Sequence, residues 1–189
     1  MATTLLTMMS CEPKNEVTVD AAYIGPSDIK IEDGRMTPEV LLSLGRLSDP
    51  QLSPDGHWIL YGVSYTSIEE NRSCRNLFLT EVLKGENGNL AFGDKVQLTS
   101  DGKSVSNARW SLDGKSIYFI QGGQLFNASI SIADGKASLS TRNQLSKVEA
   151  GIGEFTLSPD QSQVLYTSTI PGAVKTPKDF DQKLDKAQA

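Results

Sequence analysis

The sequence predicts an all-β fold made of repeated antiparallel sheets, and three observations lead to this prediction. A turn-like run, Ser53-Pro54-Asp55-Gly56, returns at 111–114 and at 158–161, and an alternating apolar segment follows each copy. A second run, Gln97-Leu98-Thr99, returns at 144–146. Both runs recur at one interval, 47 residues, from 111 to 158 and from 97 to 144. A period of ~40–50 residues in a strand-rich chain is typical of β-propeller blades.

Each copy of the turn predicts a strand, a tight turn and a second strand. Proline suits the second position of a type I turn, glycine suits the fourth, and aspartate can bond to its own backbone. We therefore interpret Asp55 and its two counterparts as local turn locks. The alternating positions of Ile59 and Tyr61, which are matched in the later copies, predict strands with a buried face. In the third copy Gln161 replaces the glycine, so that turn is predicted to be strained or of another type.

Composition narrows the classes of function. The 189 residues carry a net charge of −5, with both signs spread along the chain and no basic stripe, which argues against a nucleic-acid partner. No apolar segment reaches the ~18–20 residues of a membrane span. The cysteines Cys11 and Cys74 lie in very different contexts, and His57 is the only histidine. No metal-ligand spacing or phosphate loop is present, so we expect no metal and no cofactor.

The N-terminus is similar to the end of a bacterial lipoprotein signal. Residues 1–11 form a short apolar run that closes on a serine and Cys11, which would become the lipidated residue. This interpretation predicts membrane anchoring by lipid and a periplasmic or outer-membrane-anchored location. No lysine or arginine precedes the run, which departs from the signal pattern, and the alternative is a disordered N-terminus with an incidental cysteine. Residues 12–35 are predicted to be a linker.

Residues 36–189 are predicted to form an incomplete β-propeller with a short helix at its start. Thr37 can cap a helix over 37–45, with Pro38 in its first turn and Gly45 at its stop. Two four-stranded blades and half of a third follow, and residues 171–189 indicate a loop or solvated tail. Because propellers close at ~4–8 blades, we expect the chain to be a fragment. The predicted strands lie near 49–52, 57–65, 75–82 and 95–99; near 106–110, 116–121, 124–132 and 136–145; and, in the half blade, between 153 and 168.

Two stretches resemble a known family. The run Met36–Leu42, continued by Arg46–Gly56, resembles the start of bacterial prolyl oligopeptidase-family serine peptidases, and most of all their acylaminoacyl-peptidase and dipeptidyl-peptidase-like branch. Residues 174–180 and 184–187 resemble a linking stretch in the propellers of Bacteroidetes members. The resemblance covers about residues 36–189. It implies a propeller in front of an α/β-hydrolase whose Ser-Asp-His triad cleaves short peptides, with the propeller limiting access to small substrates.

The resemblance brings no catalytic residue into this chain, which contains no Gly-x-Ser-x-Gly sequence. It implies a scaffold and substrate-gating role, with the peptide substrate bound through a hydrolase domain outside these residues. Some dipeptidyl peptidases hold the substrate's amino terminus with paired propeller carboxylates, which makes Glu69 and Glu70 weak candidates for substrate binding. We favour a solvated inserted loop, roughly 63–75, in which Arg72 and Arg75 offset these charges. His57 is interpreted as a turn neighbour at the surface and Cys74 as a small buried apolar residue.

Two other hypotheses are open. One is a non-enzymatic periplasmic propeller, similar to TolB-type binding modules, that holds a protein partner. The other is a decayed gene product without function. The coding region beyond Ala189 discriminates between the first two, because a Gly-x-Ser-x-Gly segment favours the peptidase, whereas further blades and then a stop codon favour the binding module.

Overall fold

A computed structural model describes residues 23–31, 33–85, 87–133 and 136–169. Within these ranges a short helix precedes three successive antiparallel sheets, which confirms the predicted all-β, partial propeller-like fold. The predicted signal with Cys11, the first half of the predicted linker and the predicted tail at 171–189 lie outside the described residues.

The helix α1 spans Pro38–Ser43 and confirms the predicted N-terminal helix. The Val40 backbone N–H donates a hydrogen bond to the Thr37 hydroxyl (3.3 Å), which satisfies one of the donors that a helix start leaves unpaired. Val40 is buried, but Leu41 and Leu44, which the sequence places on the same face, are exposed. Val40 is therefore the one buried residue of α1, and the helix buries no apolar stripe.

The first sheet has the strand order β1-β2-β3-β4, and β5 also pairs with β3. The β2–β3 ladder runs without interruption from the Trp58–Glu81 pair to the Ser67–Arg72 pair. The predicted inserted loop at 63–75 is therefore mostly strand, and it lengthens this hairpin. Strand β4 was not predicted. The strands are β1 Arg46–Leu52, β2 Trp58–Ser67, β3 Arg72–Lys84, β4 Leu90–Phe92 and β5 Val96–Gln97.

The second sheet repeats this plan with the order β10-β8-β7-β6, and β9 pairs with β8. In the third sheet, the described residues form the pair β11–β12. The strands are β6 Val105–Trp110, β7 Ser116–Gln121, β8 Gln124–Ala133, β9 Lys136–Leu139, β10 Asn143–Gln144, β11 Phe155–Leu157 and β12 Val164–Tyr166.

The three predicted turns share one hydrogen-bond pattern. In the first, the Ser53 hydroxyl donates to Asp55 (2.5 Å) and accepts from the Trp58 backbone N–H (2.9 Å), while the Gly56 N–H donates to the Ser53 carbonyl (2.9 Å). The corresponding bonds form at 111–116 and at 158–163. Gln161 adopts the same left-handed backbone (φ 55°) that Gly56 adopts (φ 75°). The third turn is therefore of the same type as the others, with a side chain at the glycine position.

Each sheet has two faces, and the sheets stack face against face. We call the side that points toward the next sheet along the chain the forward face, and the opposite side the rear face. The forward face of the first sheet carries Leu60, Leu77 and Leu79, which pack in one cluster with the rear face of the second. That rear face carries Trp110, Ile117, Phe119 and Ala128. Burial of such side chains stabilises the stack by about 1.5–3 kcal/mol each.

A second, smaller cluster joins the second and third sheets. It contains Ile120 and Leu125 from the second sheet, Ile152 from the segment leading into β11, and Phe155 from β11 itself. Each sheet therefore packs against the next sheet along the chain, which is the arrangement that a radial stack of blades requires.

Part of the predicted linker packs on the rear face of the first sheet. Ile24 is buried there with Val63, Tyr65 and Phe78. The side-chain amide of Asn76 donates to the Ile24 carbonyl at 3.2 Å. We call residues 23–31 the strap. It covers the end of the rear face that lies toward the β2–β3 hairpin tip.

Candidate functional site

The tip of the β2–β3 hairpin carries the two predicted substrate-binding candidates, Glu69 and Glu70. The tip and the strap enclose a pocket of about 310 Å³. Its lining includes the apolar side chains of Tyr23, Ile24 and Ile68, several hydroxyl side chains and the two glutamates. A pair of carboxylates beside apolar side chains is the kind of lining that can accept hydrogen bonds from an ammonium group.

Glu70 is already engaged in an ion pair inside its own hairpin. The Arg72 guanidinium donates through Nη2 (2.8 Å) and Nε (3.2 Å) to the Glu70 carboxylate. The backbone N–H of Glu70 also donates to the Ser67 hydroxyl (3.1 Å), which fixes the turn. Both charged side chains are partly exposed, so the pair is worth only about 0–1 kcal/mol. Its effect on the pocket is to compensate one of the two carboxylates.

A second candidate site lies where the first strands of the three sheets approach one another. We call it the inner groove. Its volume is about 310 Å³, and its lining is mostly polar. The lining residues are Asp49, Arg75, Ser106, Asn107, Arg109, Gly153, Glu154 and Phe155.

The centre of the inner groove is an ion pair between the first and second sheets. Nη1 of Arg109 donates to both oxygens of Asp49, at 3.0 and 2.8 Å. Asp49 lies at a register shift between β1 and β2 and has a left-handed backbone (φ 54°). Asn107 occupies the equivalent bulge of the second sheet (φ 49°), and its amide donates to the Phe155 carbonyl (2.9 Å). The two bulges therefore aim equivalent polar side chains at the following sheet.

Arg75 enters the same groove from β3 by crossing the backbone of β2. A Cβ added at Gly62 would lie 2.1 Å from its Nε, so the absence of a side chain at Gly62 is what lets the guanidinium lie there. Nη2 of Arg75 reaches the Ser48 carbonyl (3.4 Å) and lies 3.8 Å from Asp49. Burial lowers the pKa of Arg75, the charge of Asp49 opposes this and the nearby Arg109 adds to it. Its buried Nε has no acceptor among the described residues.

The other residues that the sequence singled out lie far apart. His57 is exposed in the first turn, and its backbone N–H donates to Asp55 (3.0 Å). Cys74 is buried in the cluster beneath the strap, and burial raises the pKa of its thiol. Each turn aspartate has a lowered pKa because it accepts hydrogen bonds, first of all from the turn serine; the pKa of Asp160 falls to about 2. These contacts fit the predicted role of local locks.

The inner groove could not be predicted from the sequence, because Asp49 and Arg109 come into contact only when the first and second sheets stack. One signal was available: the fourth residue before each turn serine is polar, as Asp49, Asn107 and Glu154 show. Within the described ranges, no three His, Cys, Asp or Glu side chains converge as a metal site would require.

None of the helical residues in the described part of the chain forms a segment long and apolar enough to cross a membrane.

The chain is similar to known peptidases over most of its length. It is 34% identical over 171 residues to a protein from Porphyromonas gingivalis named Dipeptidyl-peptidase 5, a stretch that covers 89% of this chain and 23% of that protein. It is 30% identical over 166 residues to the Dipeptidyl-peptidase 5 of Porphyromonas endodontalis, covering 85% of this chain and 22% of that protein. A Bacillus subtilis protein named Uncharacterized peptidase YuxL is 24% identical over 135 residues, covering 71% of this chain and 19% of that protein. No family model matches the chain.

The chain therefore corresponds to one segment of peptidase relatives, and it spans less than a quarter of their length.

Proposed function

We propose that this chain forms part of the β-propeller of a serine exopeptidase of the dipeptidyl-peptidase and acylaminoacyl-peptidase-like branch. The observation that carries this proposal is the similarity to two proteins named Dipeptidyl-peptidase 5 over 85–89% of the chain. The repeated antiparallel sheets of the fold support it, because radially repeated four-stranded sheets are the architecture of a β-propeller.

The role proposed for this segment is scaffolding and substrate gating, with the catalytic groups elsewhere in the enzyme. The absence of a Gly-x-Ser-x-Gly sequence supports this division, as does the position of His57, which is exposed in a turn. The peptide substrate would bind through a hydrolase domain. Lipid anchoring at Cys11, with a periplasmic or outer-membrane location, completes the proposal for the cellular setting.

The role proposed for the hairpin-tip pocket is structural rather than substrate-binding. The Glu70–Arg72 ion pair supports this, because a carboxylate that is already compensated offers less to a substrate's ammonium group. Glu69 also lines the pocket and lies outside this ion pair, so its substitution is the more sensitive test of this assignment.

A chimeric enzyme tests the proposed function. In the Porphyromonas gingivalis Dipeptidyl-peptidase 5, the matched 171-residue stretch is replaced by the corresponding residues of this chain. We expect the folded chimera to hydrolyse dipeptidyl fluorogenic substrates with kcat/KM within about tenfold of the parent enzyme, because the catalytic groups are unchanged. The separate 189-residue chain serves as control and should neither hydrolyse these substrates nor react with a fluorophosphonate probe.

Two results would contradict the proposal. A chimera that is folded and monodisperse but inactive would show that this segment cannot serve as the propeller of such an enzyme. A coding region that continues beyond Ala189 into further sheets and a stop codon, without a Gly-x-Ser-x-Gly segment, would favour the binding-module hypothesis instead.

A further inference from the structure

The turn between β3 and β4 contains the pair Asn87-Gly88, which is the one place in the sequence where an asparagine precedes a glycine. A glycine has no Cβ, so its backbone nitrogen can approach the side chain of the preceding residue without steric hindrance. Such a pair is reactive toward cyclisation, because this nitrogen and the side-chain carbonyl carbon close a succinimide ring. The other described asparagines precede larger residues, and three of them donate side-chain hydrogen bonds: Asn76, Asn107 and Asn127.

The structure leaves this turn open to solvent. Both Asn87 and Gly88 are exposed, and a Cβ added at Gly88 would have no atom within 4 Å. Gly88 has a left-handed backbone (φ 74°), and its N–H donates to the Gly85 carbonyl (3.0 Å). The side-chain amide of Asn87 forms no hydrogen bond with the residues that the structure describes. Opening of the single bond from Gly88 to Gly85 therefore leaves the nitrogen and the Asn87 side chain able to meet.

We propose that Asn87 is a site of spontaneous deamidation and that its isoaspartate product loosens β4. The Gly88 nitrogen gives its proton to solvent and attacks Cγ of Asn87. The Cγ–Nδ2 bond then breaks, and the departing nitrogen takes up a proton and leaves as ammonia. Water opens one of the two carbonyl–nitrogen bonds of the succinimide and yields either an aspartate or an isoaspartate. One water is consumed and one ammonia is released, with no oxidation or reduction.

Strand β4 depends on its backbone ladder and not on buried side chains. Leu90 and Phe92 are 62% and 61% exposed. The ladder pairs Leu90 with Lys84 and Phe92 with Val82. The ladder between β2 and β3 ends at Glu81, so these pairs lie on the part of β3 that extends beyond β2. A change in the turn at 85–89 is therefore expected to affect β4 and to leave the rest of the first sheet intact.

The two products of deamidation differ in their main chain. An isoaspartate carries the main chain through its own side chain, which lengthens the turn by one carbon. The added carbon disturbs the hydrogen bond from the Gly85 N–H to the Asn89 carbonyl, which measures 2.8 Å in the unmodified turn. The aspartate product keeps the ordinary main chain and adds one negative charge, which takes the net charge from −5 to −6. Loosening of β4 is therefore expected for the isoaspartate form alone.

The aspartate-glycine pairs of the first two repeated turns can form the same ring but are protected. Asp55 and Asp113 accept hydrogen bonds from their turn serines (2.5 and 2.6 Å), which lower the pKa of both carboxyl groups. An ionised carboxylate is a poor target for a nucleophile, and its cyclisation would release water in place of ammonia. The proposal rests on the chemistry of the turn at 85–89 and not on the proposed peptidase role.

Peptide mapping of the purified 189-residue chain, incubated at neutral and at mildly alkaline pH, tests the deamidation. The tryptic peptide 85–95 contains both Asn87 and Asn89, and Asn89 is an internal control because it precedes a leucine. We expect Asn87 to deamidate at least about tenfold faster than Asn89, because Gly88 has no side chain to hinder the attack. The rate should rise with pH. Gly88→Ala should slow the reaction at position 87 about tenfold, and Asn87→Gln should remove it. Far-UV circular dichroism verifies that the variants are folded.

Hydrogen exchange of the separated products tests the loosening of β4, and an isoaspartate-specific methyltransferase identifies the isoaspartate form. The amides of Gly85 and of β4 should exchange at least about tenfold faster in that form than in the unmodified chain. The Asn87→Asp variant is the matched control, since it carries the charge on an ordinary main chain, and it should exchange at the unmodified rate. Equal deamidation rates at Asn87 and Asn89 would overturn the proposal. So would β4 amides that exchange equally fast in the isoaspartate form and in the unmodified chain, or in the isoaspartate form and in Asn87→Asp.

Discussion

Substitution of Gln161 tests how the third turn is held in its strained conformation. The side chain bridges two sheets: Nε2 donates to the Trp110 carbonyl (2.9 Å), and Oε1 accepts from the Leu112 backbone N–H (3.0 Å). Each such bond contributes about 0.5–1.5 kcal/mol net, and the bond to Leu112 is exposed to solvent. We therefore expect Gln161→Ala to lower the free energy of unfolding by about 1–2 kcal/mol.

The glycine variant separates the hydrogen bonds from the backbone strain. Gln161→Gly removes the same two bonds but relieves a left-handed backbone that disfavours residues with a Cβ by about 1 kcal/mol. It should therefore be about 1 kcal/mol more stable than Gln161→Ala. Gly114→Ala is the converse control: its Cβ would meet Pro54 at 3.5 Å, an ordinary contact, so it should show only the strain of about 1 kcal/mol.

Urea denaturation, followed by tryptophan fluorescence at one low protein concentration, measures these differences. The fluorescence should respond to all three variants, because Trp110 lies beside the bridge that Gln161 makes. The reasoning is refuted if Gln161→Ala is as stable as the wild type, or if Gln161→Gly is no more stable than Gln161→Ala.

Three further predictions concern burial, pH and the hairpin tip. Leu60→Ala should destabilise the fold by about 2–5 kcal/mol, because Leu60 is fully buried. Leu165, which lies seven residues after its turn serine as Leu60 does, is exposed, so Leu165→Ala should change stability by less than about 0.5 kcal/mol. Equal effects in urea denaturation would contradict the stacking. The Asp160 carboxylate is stabilised by Ser158, which holds its pKa near 2, so it favours the folded state above pH 4 and this contribution is lost as the pH falls toward 2. The stability difference between wild type and Asp160→Asn should therefore shrink as the pH falls below about 4 and be lost once the pH is below about 2. A difference that persists unchanged there would contradict the assignment. Glu69→Ala in the chimera should leave peptide turnover unchanged, and a loss of ~100-fold or more, typical of a lost oriented contact, would assign the residue to substrate binding.

The turns and the sheet repeat could be predicted because their chemistry is local. A serine hydroxyl, an aspartate two residues later and a glycine after it form their hydrogen bonds within six residues of chain. The third turn could not be judged in the same way. Gln161 tolerates its left-handed backbone with the help of two bonds to another sheet, and the sequence around it contains no sign of those partners.

The full length of the β2–β3 hairpin and the inner groove could not be predicted from local sequence patterns. The extra residues in the first blade were interpreted as a loop because they were an insertion relative to the second blade. The predicted strands ended near 65 and began again near 75, yet β2 continues to Ser67 and β3 begins at Arg72. Asp49 and Arg109 are distant along the chain, and a Gly62 without a side chain is what admits Arg75 beside them. This cluster forms only because the first two sheets stack, because β1 has a bulge at Asp49 and because residue 62 is a glycine.

The most direct test of the stacked-sheet arrangement is a set of inter-sheet nuclear Overhauser effects in solution. The structure predicts cross-peaks from the Trp110 indole N–H to β1 near Gln51, and from the Asn107 side-chain amide to β11 near Phe155. It also predicts slow hydrogen exchange at the Trp110 indole, since that residue is only 8% exposed. Cross-peaks confined to single sheets, together with rapid exchange at the indole, would contradict the arrangement.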